Sequence, residues 1–398
     1  SKSNISITST LRTFQSLSNG KKLDIAFLVP TETGYQKSII DANASMRSFL
    51  EKNQIHQFDL QGKGPENKIQ REITLISRGI YTKTRISFYR PLTKDGDPRL
   101  WIYDLKSHAT PFDLLAFIST DEGLLVVNCS QTDLQSLLEK SNQRFWGLYS
   151  KEKEILTHEA MELLEKLREI GKLGYIKSLR KGDTGVGFTL ETLLGIAANS
   201  SKKPDYKGIE LKSARDRKKK SDRSTIFSKV PDWENSRLKS SKEILLSRGY
   251  YSEEKKRNQL FHTISSSSPN SLGLILDIDE TTLYQKHVDA NGARVTDVLW
   301  NLETIQSAFS EKHKQTFWVY ADVKGKGAAE EFMYTRSKYT QGPDTDRLSI
   351  LLATGDVTVD YLIKELPNGS AKDQGYLFKI SPDNLDLLFD TPIEYSLV

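Results

Sequence analysis

Short apolar segments separated by turn-forming residues fill roughly the first third of the chain, and this pattern limits what that region can fold into. Each segment is shorter than ten residues and is rich in β-branched or aromatic side chains, which is typical of strands. A helix is expected at about 35–52, and the strand pattern ends near residue 148. We therefore predict a β-rich domain over residues 1–148. The expected strands lie at 22–30, 72–80, 84–91, 100–105, 113–119 and 123–129.

Beyond that point the pattern changes to a mixture of helices and strands. The segment 152–170 has apolar residues at helical spacing with charged residues between them. Since the chain has 398 residues, a second domain over 149–398 is expected, and its mixture of elements is typical of an α/β or an α+β fold. Further helices are expected at 188–198 and 240–249, and strands at 208–213, 272–278, 315–323 and 348–353.

Several classes of protein are excluded by what the sequence lacks. No apolar run reaches the ~18 residues that a membrane span needs, and the N-terminal residues have no signal-peptide core. Cys129 is the single cysteine, which excludes an intramolecular disulfide and a cysteine-based zinc site. We therefore expect a cytoplasmic protein without a membrane partner.

The positive charge of the chain is concentrated in one block. Residues 201–260 contain 18 Lys and Arg against 9 Asp and Glu, a net charge of +9, whereas residues 261–398 contain 12 against 20, a net charge of −8. Such a block is typical of a surface that contacts the phosphate backbone of nucleic acid, and the alternative is a solvated loop. The candidate phosphate contacts are Arg215, Arg217, Lys218, Lys219, Lys220 and Arg223.

The segment 204–213, PDYKGIELKS, contains two carboxylates and a lysine at short spacing. In a strand, alternation places Glu210 and Lys212 on one face, while the apolar residues beside them face a core. Gly208 fits a bend that brings Asp205 back beside Glu210. Paired carboxylates are hard oxygen ligands for Mg²⁺, and a nearby lysine can stabilise charge that develops on a phosphodiester. The pattern indicates a divalent-metal nuclease, and the alternative is an amphipathic surface strand with ordinary ion pairs.

A glycine-rich loop, GDTGVG at 182–187, precedes this cluster. It has the glycine separation of a P-loop, but Phe188 stands where that motif needs a lysine to reach the phosphates, so nucleotide binding is not expected. Glu191 lies on the helix that follows, and we expect it to supply a further carboxylate near the metal.

A second acidic motif, LILDIDETTL at 274–283, offers an alternative chemistry. An apolar strand followed by Asp277 and Asp279 resembles the loop of haloacid-dehalogenase-like phosphatases, in which these residues would be the nucleophile and the acid/base. No clear lysine-bearing motif stands where that family needs one, so this hypothesis is the weaker one.

Four segments occur in the same order as in the MvaI/BcnI-type restriction endonucleases, which are related to the MutH and Sau3AI nucleases. Because several short motifs share order and spacing, the chain resembles this family over about residues 150–398. The resemblance implies a PD-(D/E)xK fold, in which a mixed central sheet is flanked by helices and clamped around DNA. The segments are GDTGVGFTLE at 182–191, PDYKGIELKSAR at 204–215, STIFSKVPDWENSRLKSSKEIL at 224–245 and RNQLFHTISSSSPNSLGLILDI at 257–278.

The same resemblance implies an activity and the residues that perform it. Asp205, Glu210 and Lys212 would be catalytic, with the two carboxylates holding Mg²⁺ and Glu191 as an accessory acid. Members of the family act as monomers on short sites of the CC-N-GG kind and cut one strand at a time, and a restriction enzyme implies a cognate DNA methyltransferase. The expected function is a type II restriction endonuclease, and the alternative is a MutH-like nicking or DNA-binding repair protein.

Residues that read DNA bases are expected outside the catalytic cluster. The segment 322–341, which we expect to be a loop after a strand, alternates glycine, basic and aromatic residues. Arg336 is the first candidate for a guanine contact in the major groove, with Lys338 and Arg347 next. The alternative is a set of surface charges on an ordinary hairpin.

The N-terminal domain is expected to be an added DNA-reading module that binds a second copy of DNA. Its basic, strand-rich character loosely resembles the effector domain of EcoRII-type enzymes, which is a pseudobarrel. The alternative is an oligomerisation or purely structural domain. The candidate contacts are Arg90, Lys94 and Arg99, with Trp101 and Tyr103 expected on the same strand face as Arg99.

Overall fold

The described part of the chain forms two compact units. The N-terminal unit comprises the chain up to Lys153 together with Ile278–Thr282 and Ser349–Thr354. The other unit comprises the remaining residues. Within the described ranges, no helix is long and apolar enough to cross a membrane. The computed structural model describes residues 2–17, 23–148, 156–197, 203–216 and 223–398, with side chains from residue 7 onward.

A mixed sheet of seven strands forms the centre of the N-terminal unit. The strands are β1 (Ile25–Leu28), β2 (Ile40–Asp41), β3 (Ile69–Ser77), β4 (Ile80–Tyr89), β5 (Arg99–Ile102), β6 (Leu115–Thr120) and β7 (Gly123–Asn128). They follow the order β1-β6-β7-β3-β4-β5-β2, in which β3 runs parallel to β7 and antiparallel to β4. All six expected strands are present, so the β-rich character of this region is confirmed. Its likeness to a pseudobarrel stays a prediction.

The helices of the N-terminal unit differ from expectation. The single helix expected at 35–52 is wrong, because Ser38 adopts a left-handed conformation that ends one helix, and Asn43 caps the next. An N-terminal helix was not expected, since serine and threonine dominate its sequence, yet Leu11 and Phe14 are buried. The helices are α1 (Lys2–Leu17), α2 (Glu32–Lys37), α3 (Ala44–Lys52), α4 (Leu134–Leu137) and α5 (Gln143–Trp146).

The rest of the described chain is a mixture of helices and strands, as expected. Its helices are α6 (His158–Gly171), α7 (Gly185–Leu193), α8 (Ser241–Arg248), α9 (Leu302–Lys312) and α10 (Thr345–Thr354). Its strands are β8 (Ile176–Lys177), β9 (Glu210–Arg215), β10 (Ser224–Ser228), β11 (Tyr250–Ser252), β12 (Arg257–Ile264), β13 (Leu274–Ile278), β14 (Thr282–Val288), β15 (Arg294–Asn301), β16 (Gln315–Lys324), β17 (Glu331–Gln341), β18 (Val357–Glu365), β19 (Ala371–Ile380) and β20 (Ile393–Ser396).

One mixed sheet carries the candidate catalytic segment. Its strands follow the order β20-β17-β16-β9, with β8 paired to β17, and β9 runs parallel to β16 at the edge. Leu167 of α6 and Leu190 of α7 are buried in one cluster with Leu211 of β9 and Phe317 of β16. The helices therefore pack on this sheet and hold β9 in place. Two further sheets have the orders β10-β19-β18-β12-β11 and β13-β14-β15.

Two expectations about the C-terminal region are wrong. The strand expected at 348–353 is part of α10, because Leu348, Leu351 and Leu352 recur at helical spacing and are all buried. The loop expected at 322–341 is instead the end of β16, a short turn and the whole of β17, whose backbone pairs with β16 along its length.

The phosphatase hypothesis for LILDIDETTL is wrong. The segment forms the turn between β13 and β14, where the Asp279 amide donates to the Thr282 carbonyl and the Asp279 carboxylate accepts from the amides of Thr281 and Thr282. Asp277 pairs with Lys286, with 2.6 Å between Oδ2 and Nζ. A hairpin of this kind is not the strand-to-helix loop of those phosphatases, so Asp277 and Asp279 have structural roles.

Candidate active site

A tight turn brings Asp205 back beside the start of β9. The amides of Tyr206 and Ile209 donate to each other's carbonyls across the turn, at 2.9 and 2.7 Å. Lys207 and Gly208 between them both have positive φ, 45° and 84°, which is the backbone of a two-residue hairpin turn. Glycine favours this conformation because it has no Cβ. The bend expected from Gly208 is confirmed.

The returning carboxylate is fixed by the edge strand itself. Asp205 Oδ2 accepts a hydrogen bond from the Leu211 amide at 3.0 Å. Because β9 is the edge strand of its sheet, an amide on its outer side has no neighbouring strand to bond. Asp205 satisfies that donor and so lies next to Glu210 in space, although the two residues are separated in sequence.

Alternation along β9 divides its side chains as expected. Leu211 is buried in the core beneath the sheet, together with Ile209 just before the strand. Glu210 and Lys212 share the other face, with 3.6 Å between Glu210 Oε1 and Lys212 Nζ. The sheet therefore brings Asp205, Glu210 and Lys212 together in one cluster.

A fourth charged group, which sequence reasoning missed, completes this cluster. Lys312, the last residue of α9, places its Nζ 3.3 Å from Glu210 Oε1. It lies about a hundred residues from Glu210 in sequence, so no local pattern could have found it. Only the packing of α9 near β16 shows that it belongs to the site.

Glu210 is almost completely buried, with 2% of its surface exposed. Burial raises the pKa of its carboxyl and Asp205 adds to the rise, while Lys212 and Lys312 oppose it. Burial likewise lowers the pKa of the Lys212 ammonium, against the attraction of Glu210. Burial raises the pKa of Glu191 on α7, and repulsion from Asp205 adds to it. These five groups thus share one electrostatic environment.

The cluster fits a hard divalent cation. Glu210 Oε2 is buried and has no hydrogen-bond partner in the described residues, although a buried carboxylate oxygen normally has one. The neighbouring Asp205 offers a second carboxylate. Among the described residues, no group of three or more His, Cys, Asp or Glu side chains could hold a metal. A cation bound here would therefore complete its shell with water and substrate oxygens, as Mg²⁺ commonly does.

The residues expected to contact phosphates divide into two groups. Arg215 is internal: its Nε lies 2.6 Å from Glu330 Oε1, and its guanidinium donates to the carbonyls of Gly182 and Asp183. Arg223 donates to the Asp356 carbonyl at 2.7 Å. These two arginines hold local structure, and their expected role as phosphate contacts stays a prediction. The remaining candidates, Arg217, Lys218, Lys219 and Lys220, lie outside the described residues.

The expected base readers are also held by protein groups. Arg347 is 6% exposed and donates to the carbonyls of Leu387 and Phe389, so it is buried among protein groups, and its role as a base reader stays a prediction. Lys338 Nζ lies 2.9 Å from Asp386 Oδ1, and 13% of its side chain is exposed. Arg336 pairs with Asp216 and covers the ring of Tyr320, and 40% of its side chain is exposed. Arg336 is therefore the base-reading candidate of the three that is most accessible to solvent.

The candidates in the N-terminal unit are placed on and beside its sheet. Arg99 and Trp101 are half-buried on one face of β5, and Tyr103 beyond it is exposed, as alternation predicts. Arg90 donates to the carbonyls of Gly96 and Gln61, so it fixes the local loop. The Lys94 side chain is exposed.

A mixed sheet with a carboxylate and a lysine on its edge strand, a second carboxylate in the turn before that strand, and helices packed on the sheet is the arrangement of the PD-(D/E)xK nuclease class. The family model for MvaI/BcnI restriction endonucleases matches residues 164–389, more than half of the chain. The protein therefore belongs to the MvaI/BcnI restriction endonuclease family.

One solved structure supports this fold. The complex of restriction endonuclease MvaI with its cognate DNA substrate superposes with a TM-score of 0.53 at 23% identity, covering 61% of this chain and all (100%) of that one. MvaI in the absence of DNA fits less closely, with a TM-score of 0.39 at 21% identity, over 62% of this chain and 100% of that one. No curated protein matches the chain at a significant level.

Proposed function

We propose that this protein is a type II restriction endonuclease that hydrolyses phosphodiester bonds of double-stranded DNA at a short site of the CC-N-GG kind, with Mg²⁺ as cofactor. The observation that carries the proposal is the convergence of Asp205 and Glu210, at the end of an edge strand, beside Lys212. That geometry supplies two carboxylate ligands for Mg²⁺ and the positively charged ammonium group of Lys212 at a single point.

Each residue of the cluster has a distinct part in the reaction. Asp205 and Glu210 would hold Mg²⁺, with Glu210 offering the buried Oε2 that has no hydrogen-bond partner among the described residues. When bound, the cation neutralises charge on the phosphodiester and eases ionisation of water. The Lys212 ammonium orients the attacking water and stabilises the negative charge that develops on the phosphate. Glu191 acts as an accessory acid.

An exposed basic strip beside the site is suited to the DNA backbone. Between α6 and α7 the segment 172–182 contains four Lys or Arg residues and no Asp or Glu. All four basic side chains are exposed, and Leu173 and Leu179 beside them are 63% and 51% exposed. Pairing of β8 with β17 anchors the strip. We expect it to contribute sequence-independent affinity for phosphates. The four residues are Lys172, Lys177, Arg180 and Lys181.

The N-terminal region, residues 1–148, is proposed to be a DNA-binding effector module added to a nuclease domain over 149–398. Support comes from the solvent face of its sheet, where the Arg85 guanidinium lies 5.1 Å from the ring of Tyr103, which is 62% exposed. Exposed aromatic and basic groups on one face of a sheet are suited to a DNA groove. Monomeric action, a partner methyltransferase and a cytoplasmic location stay predictions.

Digestion of unmethylated phage DNA tests the proposed activity. With Mg²⁺, discrete fragments are expected whose mapped ends share one short sequence, and EDTA should prevent their formation. Nicks that appear only when a partner protein is added would instead support the MutH-like alternative. Absence of any cleavage over a range of divalent cations would overturn the proposal.

A further inference from the structure

Glu210 has two ammonium groups at one of its oxygens. Lys312 Nζ lies 3.3 Å from Oε1 and Lys212 Nζ lies 3.6 Å from the same atom. We propose that Lys312 is a positioning residue that holds Glu210, so that Lys212 is free to act on the phosphodiester. This inference rests on the proposed nuclease centre and assigns to it a residue from α9.

The end of α9 is fixed in a way that suits this role. His313, directly after Lys312, is fully buried and stacks on Trp318 at a centroid distance of 5.6 Å. Its Nε2 donates to the Ile226 carbonyl at 2.6 Å, so its Nδ1 accepts from the Thr316 hydroxyl at 2.9 Å. Hydrogen bonds at both ring nitrogens therefore fix His313, and with it the adjoining backbone of Lys312.

The same contact sets the position of Lys312 relative to Glu210. Thr316 is the residue of β16 that pairs in register with Glu210 of β9. The hydrogen bond that the Thr316 hydroxyl donates to His313 thus connects the end of α9 to the strand position beside the carboxylate. Lys312 reaches Glu210 from a rigid support, whereas Lys212 lies two residues away on the same strand.

Charge balance explains why two lysines are needed. A buried carboxylate without a counter-ion is costly, so until a cation binds, a single lysine would have to stay with Glu210. With Lys312 at Oε1, Lys212 can move to substrate while Glu210 keeps a partner. Oε2, buried and without a hydrogen-bond partner among the described residues, stays available for a cation.

Lys312 is also reachable from solvent by small molecules. It lines a cleft of about 410 Å³ with Phe227, Lys229 and Glu303. Its side chain is 20% exposed, while that of Glu210 is 3% exposed. We expect a small alkylamine to enter through this cleft and to replace the ammonium group that Lys312→Ala removes, which offers a test that separates charge from folding.

The kinetic test compares Lys312→Met with Lys314→Met, which changes an exposed lysine two residues further on. Loss of positioning should lower kcat for DNA cleavage by about tenfold to a hundredfold with little change in KM. Ethylamine should restore part of the rate to Lys312→Ala and should not change the wild type. A raised KM with unchanged kcat would show that Lys312 only binds DNA, and it would overturn the inference.

A second readout needs neither metal nor cleavage. In EDTA, the unfolding midpoints of wild type, Glu210→Gln, Lys312→Met and the double variant form a double-mutant cycle. A direct ion pair predicts that the Lys312 substitution has a smaller destabilising effect when Glu210 is already neutral. If the shifts in unfolding midpoint caused by the two substitutions simply added up in the double variant, the inference would be contradicted. If wild type itself fails to cleave with Mg²⁺, the proposed function fails; if wild type cleaves and Lys312→Met matches it, the inference alone fails.

Discussion

At the scale of single residues, the turn at Lys207 and Gly208 is what brings the two carboxylates together. A Cβ on Gly208 would meet no atom within 4 Å, so Gly208→Ala changes only the backbone preference at a φ of 84°. We expect a loss of about 1 kcal/mol in the free energy of unfolding, because alanine disfavours positive φ. We also expect a clear fall in cleavage rate, because Asp205 is displaced. Denaturant unfolding and single-turnover cleavage measure the two effects.

Gly369 provides the matched control for this substitution. It lies in the turn between β18 and β19, has a φ of 82°, and also has open space where a Cβ would stand. Gly369→Ala should lose similar stability and keep the wild-type cleavage rate. If both variants lost activity to the same degree, the turn at Gly208 would have no special part in positioning Asp205.

Local residues of the site could be predicted from the sequence, and distant ones could not. Asp205, Glu210 and Lys212 lie within eight residues, so strand alternation and one glycine bend are enough to group them. Lys312 joins them through tertiary packing, which leaves no trace in the local pattern. Arg347 shows the converse, since its charge suggested exposure but the fold buries it.

At the scale of elements, one buried carboxylate connects several of them in the C-terminal region. Asp297 of β15 accepts hydrogen bonds from Arg237, from Arg248 at the end of α8 and from Gln285 of β14. Burial acts to raise the pKa of Asp297, but these donors outweigh it and the pKa is lowered. Asp297→Asn should cost about 3–5 kcal/mol in the free energy of unfolding, because it leaves two arginines without their counter-ion.

The sign of this pKa shift fixes the pH window. A carboxylate whose pKa is lowered in the folded state stabilises the fold at every pH above its unfolded pKa of about 3.9, and that contribution is lost as pH falls through the folded pKa. The difference in unfolding free energy between wild type and Asp297→Asn should therefore shrink only in acid. Glu254→Gln, at an exposed pair with Lys255, is the control and should change stability by less than about 1 kcal/mol. A loss for Asp297→Asn no larger than that would contradict the account.

Element types could be predicted wherever the apolar pattern had one clear period. The strands of the N-terminal region were marked by short apolar segments between turn-forming residues, β9 followed alternation, and α6 followed helical spacing. The segment 348–353 was mistaken for a strand because a short apolar run fits both periods, and burial of three leucines at helical spacing decides for α10. The glycine residues in 322–341 made this segment resemble a loop, so the long strand β17 was not predicted.

At the scale of the whole molecule, the proposed effector role of residues 1–148 can be separated from cleavage. A fragment of residues 150–398 should still cut DNA, because it retains Asp205, Glu210, Lys212 and Lys312. It should lose the stimulation that an added cognate oligonucleotide gives the full chain. A fragment of residues 1–148 should shift a cognate duplex in a gel.

The control for both fragments is their folding, which circular dichroism and thermal unfolding measure. A folded N-terminal fragment that binds no DNA would show that this region is structural, and the effector proposal would be dropped. The nuclease proposal would stand in that case, because it depends only on the C-terminal cluster.

The central claim is that Asp205 and Glu210 form a metal-dependent cleavage centre. Asp205→Asn tests it most directly, since the amide oxygen can still accept from the Leu211 amide while the charge is lost. The measurement is cleavage of a cognate duplex with Mg²⁺ beside the affinity for the same duplex in EDTA. We predict no detectable cleavage by Asp205→Asn and an affinity equal to or tighter than that of wild type, because a negative charge facing the phosphate is removed. Wild-type cleavage by Asp205→Asn would contradict the account.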